Sequence, residues 1–172
     1  WTPGTRPVVF TAAGTTFSTP ICFEDSFGYL GRNFVNKGAR VLVTVSNDSW
    51  SGSVTAMMQH LSMAVFRSAE TGVPMVRASN GGMTVHIDRR GRILSMLEPF
   101  TEGVLIADVV PAEDSTTPYL LWGDWLGQAC LAAAIAGVFW TLVLAIRRRF
   151  RARVRGSPPM VDSSGKKAQY RD

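Results

Sequence analysis

The chain has 172 residues, of which 46% are hydrophobic, and it is therefore long enough for one domain with a core. Its net charge of +5 is uneven: residues 1–146 carry 9 Lys and Arg against 11 Asp and Glu, and residues 147–172 carry 9 against 2. The positive charge belongs to the tail, which argues against a nucleic-acid-binding domain. Because the chain begins with Trp1 rather than Met, we expect it to be part of a longer protein.

The first distinctive stretch places a cysteine at a predicted corner between a strand and a helix. Residues 8–10 and 15–17 predict two short strands around a turn, and apolar residues at helical spacing after Cys22 predict a helix to about Lys37. Such a corner suits a nucleophile, since the positive end of a helix favours a thiolate. A small buried hydrophobic residue is the alternative interpretation of a lone cysteine.

A third strand is predicted at residues 40–45, whose nearly continuous apolar run is typical of a strand covered on both faces. It ends in a polar loop, residues 46–52. Sites in α/β proteins gather just beyond the strand ends, so we expect this loop to share one sheet edge with Cys22. Asn47 and Asp48 in this loop have an alternative role in turns and caps.

The spacing of apolar residues predicts a helix over residues 54–71. We expect its buried stripe to consist of Val54, Met58, Leu61, Val65 and Ala69. On another face, Arg67 and Glu70 are spaced to form an ion pair, and His60 is more typical of a structural hydrogen-bonding residue than of a catalyst.

Four extended runs follow, at residues 74–79, 83–88, 93–97 and 104–110, and they predict a β-meander. The domain is expected to cover residues 1–110, with a polar linker at 111–124. There is no glycine-rich phosphate loop, and two distant histidines with two separated cysteines do not form a metal-binding pattern. We therefore predict neither a cofactor nor a metal.

Residues 125–146 carry no charge and, as a helix, would extend roughly 33 Å, enough to cross a bilayer core of about 30 Å. A buried core helix is the alternative. Six arginines follow between residues 147 and 155, which predicts a cytoplasmic end and places the preceding domain across the membrane. We expect residues 147–172 to form a basic, disordered tail. Cys130 lies within the predicted span and cannot easily pair with Cys22, which favours a reactive role for Cys22.

A series of motifs in this order resembles a known family, the apolipoprotein N-acyltransferases of the nitrilase, or carbon–nitrogen hydrolase, superfamily. The motifs are Ile21-Cys22-Phe23-Glu24, Ser46-Asn47-Asp48-Ser49-Trp50-Ser51-Gly52, Gln59-His60, Met63-Ala64, Arg67, Ala69-Glu70, Pro74, Arg77, Asn80, Gly82 and Thr84, followed by the apolar span. The resemblance implies an α/β fold: the C-terminal half of a nitrilase-like αββα sandwich followed by one transmembrane helix.

The resemblance also implies a Glu–Lys–Cys triad in which Cys22 is the nucleophile and the Glu and Lys precede Trp1. Phe23 stands where the family usually has Tyr, Glu24 matches a functionally important acid, and Trp50 matches an aromatic residue on a mobile loop. The remaining supporting residues that the motifs imply are Asn47, Asp48, Arg77 and Asn80.

The implied reaction moves an acyl chain from a phospholipid through a Cys22 thioester to the N-terminal amine of a diacylglyceryl-modified apolipoprotein. The implied location is the bacterial inner membrane, with the domain in the periplasm. Two alternatives remain open from the residues: a nitrilase-type amidase acting on small substrates, and a non-catalytic domain tethered to the membrane.

Overall fold

A computed structural model describes residues 4–155, and these divide between Asp124 and Trp125 into two compact units. The first unit is a six-stranded sheet with three α-helices, and the second is a single long helix. The strands are β1 (Phe10–Ala12), β2 (Thr15–Ser18), β3 (Val41–Asn47), β4 (Met75–Asn80), β5 (Thr84–Ile87) and β6 (Ile93–Leu97). The helices are α1 (Gly28–Asn36), α2 (Val54–Thr71), α3 (Pro118–Trp122) and α4 (Trp125–Arg155).

The strands lie side by side in chain order, from β1 to β6. The β2–β3 and β3–β4 pairs are parallel, whereas β1–β2, β4–β5 and β5–β6 are antiparallel. Helices α1 and α2 provide the two parallel crossovers, and right-handed crossovers running in one direction place both helices on the same face of the sheet. This mixed sheet under one layer of helices confirms the predicted α/β class and is half of an αββα sandwich.

The core lies between the sheet and α2. Leu42 and Met75 of neighbouring strands pack against Met57, Leu61 and Ala64 of the helix, and all five are essentially inaccessible to solvent. Full burial of a side chain of this size contributes about 1.5–3 kcal/mol. The contact fixes α2 against β3 and β4, the two strands whose ends carry the polar loop and turn of the site.

The buried stripe of α2 differs from the one predicted. The buried residues are Met57, His60, Leu61, Ala64, Ser68 and Thr71. Val54 and Met58 are instead about half exposed. The true stripe shares Leu61 with the predicted one, and Val65 packs against the core. Half of the buried members are polar, however, so apolar residues alone predicted a stripe that is rotated around the helix from the true one.

Strand β3 is covered by helices on one face, whereas the other face is covered only in part, with Val41 buried there, so the expectation of two covered faces holds for part of the strand. Leu42 and Thr44 face α2 and are fully buried, whereas Val45 points to the opposite face and is 45% exposed.

Residues 104–110 form no strand, which corrects a second expectation. Their side chains alternate, but the segment lines a cavity with residues of β3, β4 and β5 and thus crosses the sheet face without joining its edge.

The predicted linker at residues 111–124 is an ordered part of the domain. Helix α3 lies within it and contacts both α1 and α2. Arg32 of α1 donates hydrogen bonds to the carbonyl oxygens of Leu120 and Leu121, at 2.9 and 3.1 Å. The hydroxyls of Ser115 and Thr117 donate to carbonyls at the C-terminal end of α2. These bonds satisfy carbonyls that helix ends leave without partners.

The second unit is helix α4, of which residues Trp125–Arg151 are long and apolar enough to cross a membrane. The helix continues to Arg155, so residues 147–155 are helical and the expectation of a disordered tail is wrong for this part. The rest of the predicted tail, residues 156–172, lies outside the described residues. Arginines have high helix propensity, which explains why the basic segment continues the helix.

Candidate active site

Cys22 lies at a backbone corner that follows β2. Residue Ile21 forms a single parallel bridge with Val45 of β3, and a short 3-10 helix, Cys22–Ser26, begins at the cysteine. Cys22 has a φ of +53°, a left-handed conformation that is costly for any residue with a Cβ. The thiol is free and the residue is half-buried. The predicted corner is therefore present, although α1 itself begins only at Gly28.

Two carboxylates brace this corner in different ways. Glu24 folds back, and its Oε2 accepts a 2.8 Å hydrogen bond from the Ile21 amide, while the Glu24 amide donates to the Ile21 carbonyl at 3.1 Å. Asp25 points inwards and is 1% exposed. Glu24 thus closes the turn from the surface, and Asp25 anchors it in the core.

The polar loop after β3 lies at the same sheet edge as Cys22, as expected. Asn47 and Asn80 are register partners in β3 and β4, and the side-chain Nδ2 of Asn80 donates to Asn47 Oδ1 at 3.3 Å. Asn47 Oδ1 also accepts from the Ser49 hydroxyl at 2.6 Å, and the Asp48 amide donates to the Asn80 carbonyl at 3.0 Å. Asn47 and Asn80 therefore fasten the loop to the turn that follows β4.

Beneath the corner and the loop lies a group of four buried charged or titratable side chains, Asp25, Asp48, His60 and Arg77, which we call the buried quartet. Arg77 is 1% exposed, and it donates from Nε to Asp25 Oδ2 at 3.1 Å and from Nη2 to Asp48 Oδ2 at 2.9 Å. His60 Nε2 lies 2.8 Å from Asp25 Oδ1, and its Nδ1 lies 2.9 Å from Asp48 Oδ1. Each carboxylate is thus shared between the guanidinium and the imidazole.

The turn between β4 and β5 leaves room for this arrangement. A Cβ on Gly82 would lie 2.9 Å from Asp48 Cβ and would also collide with the Asp48 carboxylate. A glycine here allows Asp48 to reach Arg77 and the Ser79 hydroxyl, which donates to Asp48 Oδ2 at 2.9 Å.

The pKa values of two quartet members are displaced in opposite directions. Burial alone would raise the pKa of Asp48, but the Arg77 charge and hydrogen bonds from Ser46, Arg77 and Ser79 bring it below its ordinary value. Burial alone would lower the pKa of His60, but the hydrogen bond and charge of Asp25, with Asp48, raise it above its ordinary value against the opposing Arg77 charge. Both shifts favour the charged forms.

Aromatic rings cover the quartet on the solvent side. Phe23 stacks on His60, with 4.6 Å between ring centroids and 14° between planes, and Trp50 packs on Phe23 at 6.1 Å. These residues line a cavity of about 210 Å³ together with Met57, Gln59 and Met63. That volume is smaller than the roughly 300–1,000 Å³ of most small-molecule sites, so the cavity fits part of a ligand only. Trp50 is 67% exposed and extends the apolar surface outwards.

The structure brings the predicted site residues together. The supporting residues all lie around the Cys22 corner or the adjoining loop and turn: Phe23, Glu24, Asn47, Asp48, Trp50, Arg77 and Asn80. No site role was predicted for Asp25 and only a structural role for His60, yet both are members of the quartet. A local signal existed for Asp25 alone, which directly follows the Cys22 motif. His60 lies on the buried stripe of α2, which the apolar spacing did not indicate.

A half-buried cysteine at a strained corner of an α/β sheet fits the carbon–nitrogen hydrolase superfamily that the motifs around Cys22 resemble. The family model described as carbon-nitrogen hydrolase matches residues 1–119, and the chain belongs to this family.

Within that family, curated relatives carry a more specific name. The chain is 47% identical over 153 residues to apolipoprotein N-acyltransferase 1 of Treponema pallidum (strain Nichols), which covers 89% of this chain and 28% of the relative. It is 38% identical over 149 residues to apolipoprotein N-acyltransferase of Geobacter metallireducens, covering 87% of this chain and 28% of the relative. The chain thus spans little more than a quarter of these relatives.

Solved structures support the fold alone. Nit3 of Saccharomyces cerevisiae, a member of branch 10 of the nitrilase superfamily, superimposes with a TM-score of 0.50 at 21% identity, over 59% of this chain and 40% of that one. The predicted nitrilase-like fold is confirmed by this similarity together with the family match.

Proposed function

We propose that this chain is the C-terminal part of an apolipoprotein N-acyltransferase, in which Cys22 carries the acyl group between two lipid substrates. The observation that supports acyl transfer over small-molecule amide hydrolysis is helix α4, a span-length apolar helix that follows the domain directly. An amidase of soluble substrates has no use for such a helix, whereas an enzyme whose donor and acceptor are both anchored in lipid has to work at the bilayer.

In the first half-reaction, Cys22 Sγ attacks the carbonyl carbon of a phospholipid ester. The S–C bond forms, the ester C–O bond breaks, and the lysophospholipid leaves with a proton. A free thiol with a pKa near 8.5 is only a few per cent thiolate at pH 7, so a base is required. The family resemblance implies that a Glu acts as the base and that a Lys stabilises the oxyanion, and both lie outside the 172 residues of this chain.

In the second half-reaction, the α-amine of a diacylglyceryl-cysteine apolipoprotein attacks the thioester carbonyl. The N–C bond forms, the S–C bond breaks, and the amine proton is passed back so that the thiol is restored. A thioester conserves acyl-transfer potential while one lipid leaves and the other enters. No cofactor or metal takes part in this scheme.

The proposed setting is the bacterial inner membrane. The arginines from Arg147 onwards favour a cytoplasmic end for α4 and therefore a periplasmic domain. Phe23 and Trp50, with the half-exposed Met63 that lines the same cavity, present an apolar surface beside the Cys22 corner that suits an acyl chain. Met57, by contrast, is 1% exposed and belongs to the core.

The test is mass spectrometry of the full-length protein after incubation in membranes with a labelled phospholipid. We expect the label on the peptide that contains Cys22, and its release when a diacylglyceryl-peptide is added. Cys22→Ala should carry no label, whereas Cys130→Ser, a change at the other free thiol, should be labelled normally.

Retention of the label by Cys22→Ala would refute the role of Cys22. Hydrolysis of a small amide without any acyl intermediate from lipid would favour the amidase alternative, and absence of both reactions would favour a non-catalytic domain.

A further inference from the structure

The buried quartet joins four separate parts of the domain through one histidine. Asp25 belongs to the 3-10 helix that starts at Cys22, Asp48 to the loop that carries Trp50, and Arg77 to β4. His60, on α2, contacts all three: Nε2 lies 2.8 Å from Asp25, and Nδ1 lies 2.9 Å from both Asp48 Oδ1 and Arg77 Nη2. Its ring also supports Phe23, the residue after Cys22.

The protonation state of His60 decides which partner its Nδ1 binds. A neutral ring that donates from Nε2 to Asp25 leaves a lone pair on Nδ1, which accepts from Arg77 and repels Asp48 Oδ1. A protonated ring donates from both nitrogens and binds both carboxylates. With His60 charged, the quartet holds two negative and two positive charges, and this balance offsets the cost of burying them.

We propose that His60 is a positioning residue, whose imidazolium ties the Cys22 corner to the Trp50 loop and so holds the thiol in the geometry that reacts. The proposal rests on the proposed function for its biological meaning, but the positioning of Cys22 can be measured without it.

The strain at Cys22 explains why such a tie is needed. A φ of +53° on a non-glycine residue persists only where the surroundings hold it, at a cost on the order of 1–3 kcal/mol. The surroundings here are Glu24 at the surface and Asp25 in the core. Loss of the imidazolium proton breaks the hydrogen bond from Nδ1 to Asp48 and leaves only a neutral, weaker donor on Asp25. It also leaves the quartet with a net negative charge beneath the Cys22 corner.

The groups that face His60 define the pH range of this effect. They are Asp25 from the corner, Asp48 from the loop and Arg77 from β4. The tie is complete while His60 is protonated and is lost as the pH rises through its folded-state pKa, which lies above the ordinary value of 6.5.

The experiment compares wild type with His60→Gln, which is neutral at every pH. In the full-length protein in membranes, the rate at which iodoacetamide alkylates Cys22 is followed by peptide mass spectrometry between pH 5 and 9. We expect the wild-type rate to exceed that of His60→Gln by roughly three- to tenfold at low pH, because a nearby cation favours the thiolate. This ratio should fall towards one as the pH passes the His60 pKa.

His86→Gln is the matched control, since His86 is also a buried histidine, 6% exposed on β5, but is not a member of the quartet. Its alkylation rate should equal that of wild type at every pH. A ratio of one for His60→Gln, or a ratio that does not change with pH, would overturn the proposal and leave His60 with a purely structural role.

If His60→Gln does not fold, Asp48→Asn provides the decision. Loss of one carboxylate should lower the pKa of His60. The part of the Cys22 alkylation rate that depends on protonated His60 should therefore disappear at a lower pH than in wild type. An unmoved profile would overturn the proposal.

The acylation assay separates this proposal from the proposed function. Alkylation that depends on His60, in a protein that takes no acyl group from phospholipid, would contradict acyl transfer but support the positioning role. If acylation occurs, His60→Gln should lower its maximal rate and leave the concentration dependence on phospholipid unchanged, since His60 acts on the thiol and not on lipid binding.

Discussion

Arg77 is the residue whose loss should cost the domain most. Its guanidinium is inaccessible to solvent and neutralises two buried carboxylates, and removing one partner of a buried charged group leaves the others without compensation. We predict that Arg77→Met lowers the free energy of unfolding by about 3–5 kcal/mol. Thermal melting of the full-length protein, followed by circular dichroism, measures the change.

Arg92 provides the matched control. It pairs with Asp88 at 2.7 Å, but its side chain is 69% exposed, and exposed pairs contribute at most about 1 kcal/mol. Arg92→Met should therefore melt close to wild type. Equal losses of stability in the two variants would show that the buried Arg77 pairs contribute no more to the free energy of unfolding than an exposed pair does.

Asp48 and His60 should give the domain a stability that declines on both sides of a mildly acidic optimum. The folded-state pKa of Asp48 is below its ordinary 3.8, so its contribution is present above that pH and is lost as the pH falls further. The folded-state pKa of His60 is above its ordinary 6.5, so its contribution is present below that pH and is lost as the pH rises. Melting temperatures at a series of pH values test both limbs.

Asp48→Asn separates the two groups in this measurement. The variant should lose stability overall and show a shallower decline at acid pH, because the carboxylate that titrates there is gone. An acid limb as steep as that of wild type would mean that other carboxylates produce it.

At the scale of elements, helix α3 depends on α1 for its C-terminal end. The two hydrogen bonds from Arg32 to Leu120 and Leu121 are the side-chain contacts that hold these carbonyls. We predict that Arg32→Met lowers the local stability of α3 by about 1–3 kcal/mol, since bonds to a charged donor are stronger than average. Hydrogen exchange of residues 118–123 should accelerate, while exchange in β3 and β4 remains unchanged.

Lys37 is a suitable comparison, because it is a cation directly after the same helix and its side chain makes no hydrogen bond to α3 in the part of the chain that the structure describes. Its replacement by Met should leave exchange in α3 unaffected. Acceleration across the whole domain in Arg32→Met would indicate global destabilisation and would contradict a local role.

For the whole molecule, α4 should insert into a bilayer with Val138 near the centre of its apolar part. A Lys at the centre of a membrane helix costs about 2.5–3.5 kcal/mol on insertion scales. We predict that Val138→Lys makes the apparent free energy of insertion less favourable by this amount. The measurement is the glycosylation of acceptor sites placed on either side of the helix in microsomes.

Phe150→Lys tests position as the cause, because residue 150 lies among the arginines at the end of the span, where a cation is well tolerated. It should insert as wild type does. Equal insertion of Val138→Lys and wild type would argue against a membrane span.

Local signals determined most of the elements. The helical spacing after Cys22 gave α1, and Gly38, with a φ of +99°, follows its end. The uncharged run after Trp125 gave the apolar helix. These predictions succeeded because periodicity, turn residues and a long apolar stretch act through neighbours in the chain. The motifs around Cys22 and Asn47 also indicated the site, since both follow strands of one parallel pair.

Only the tertiary structure decided which side chains meet. Asp25 and Arg77 are 52 residues apart, and Asp25 and His60 are 35 apart. Their contacts depend on strand register and on the rotation of α2, and the sequence pattern predicted a buried stripe rotated from the true one. Residues 104–110 show the same limit, because alternation predicts an extended backbone but not whether it joins a sheet edge or crosses a face. Hydrogen bonds between distant segments form only after the crossovers fix the strand order, and for that reason the buried quartet could not be read from local sequence.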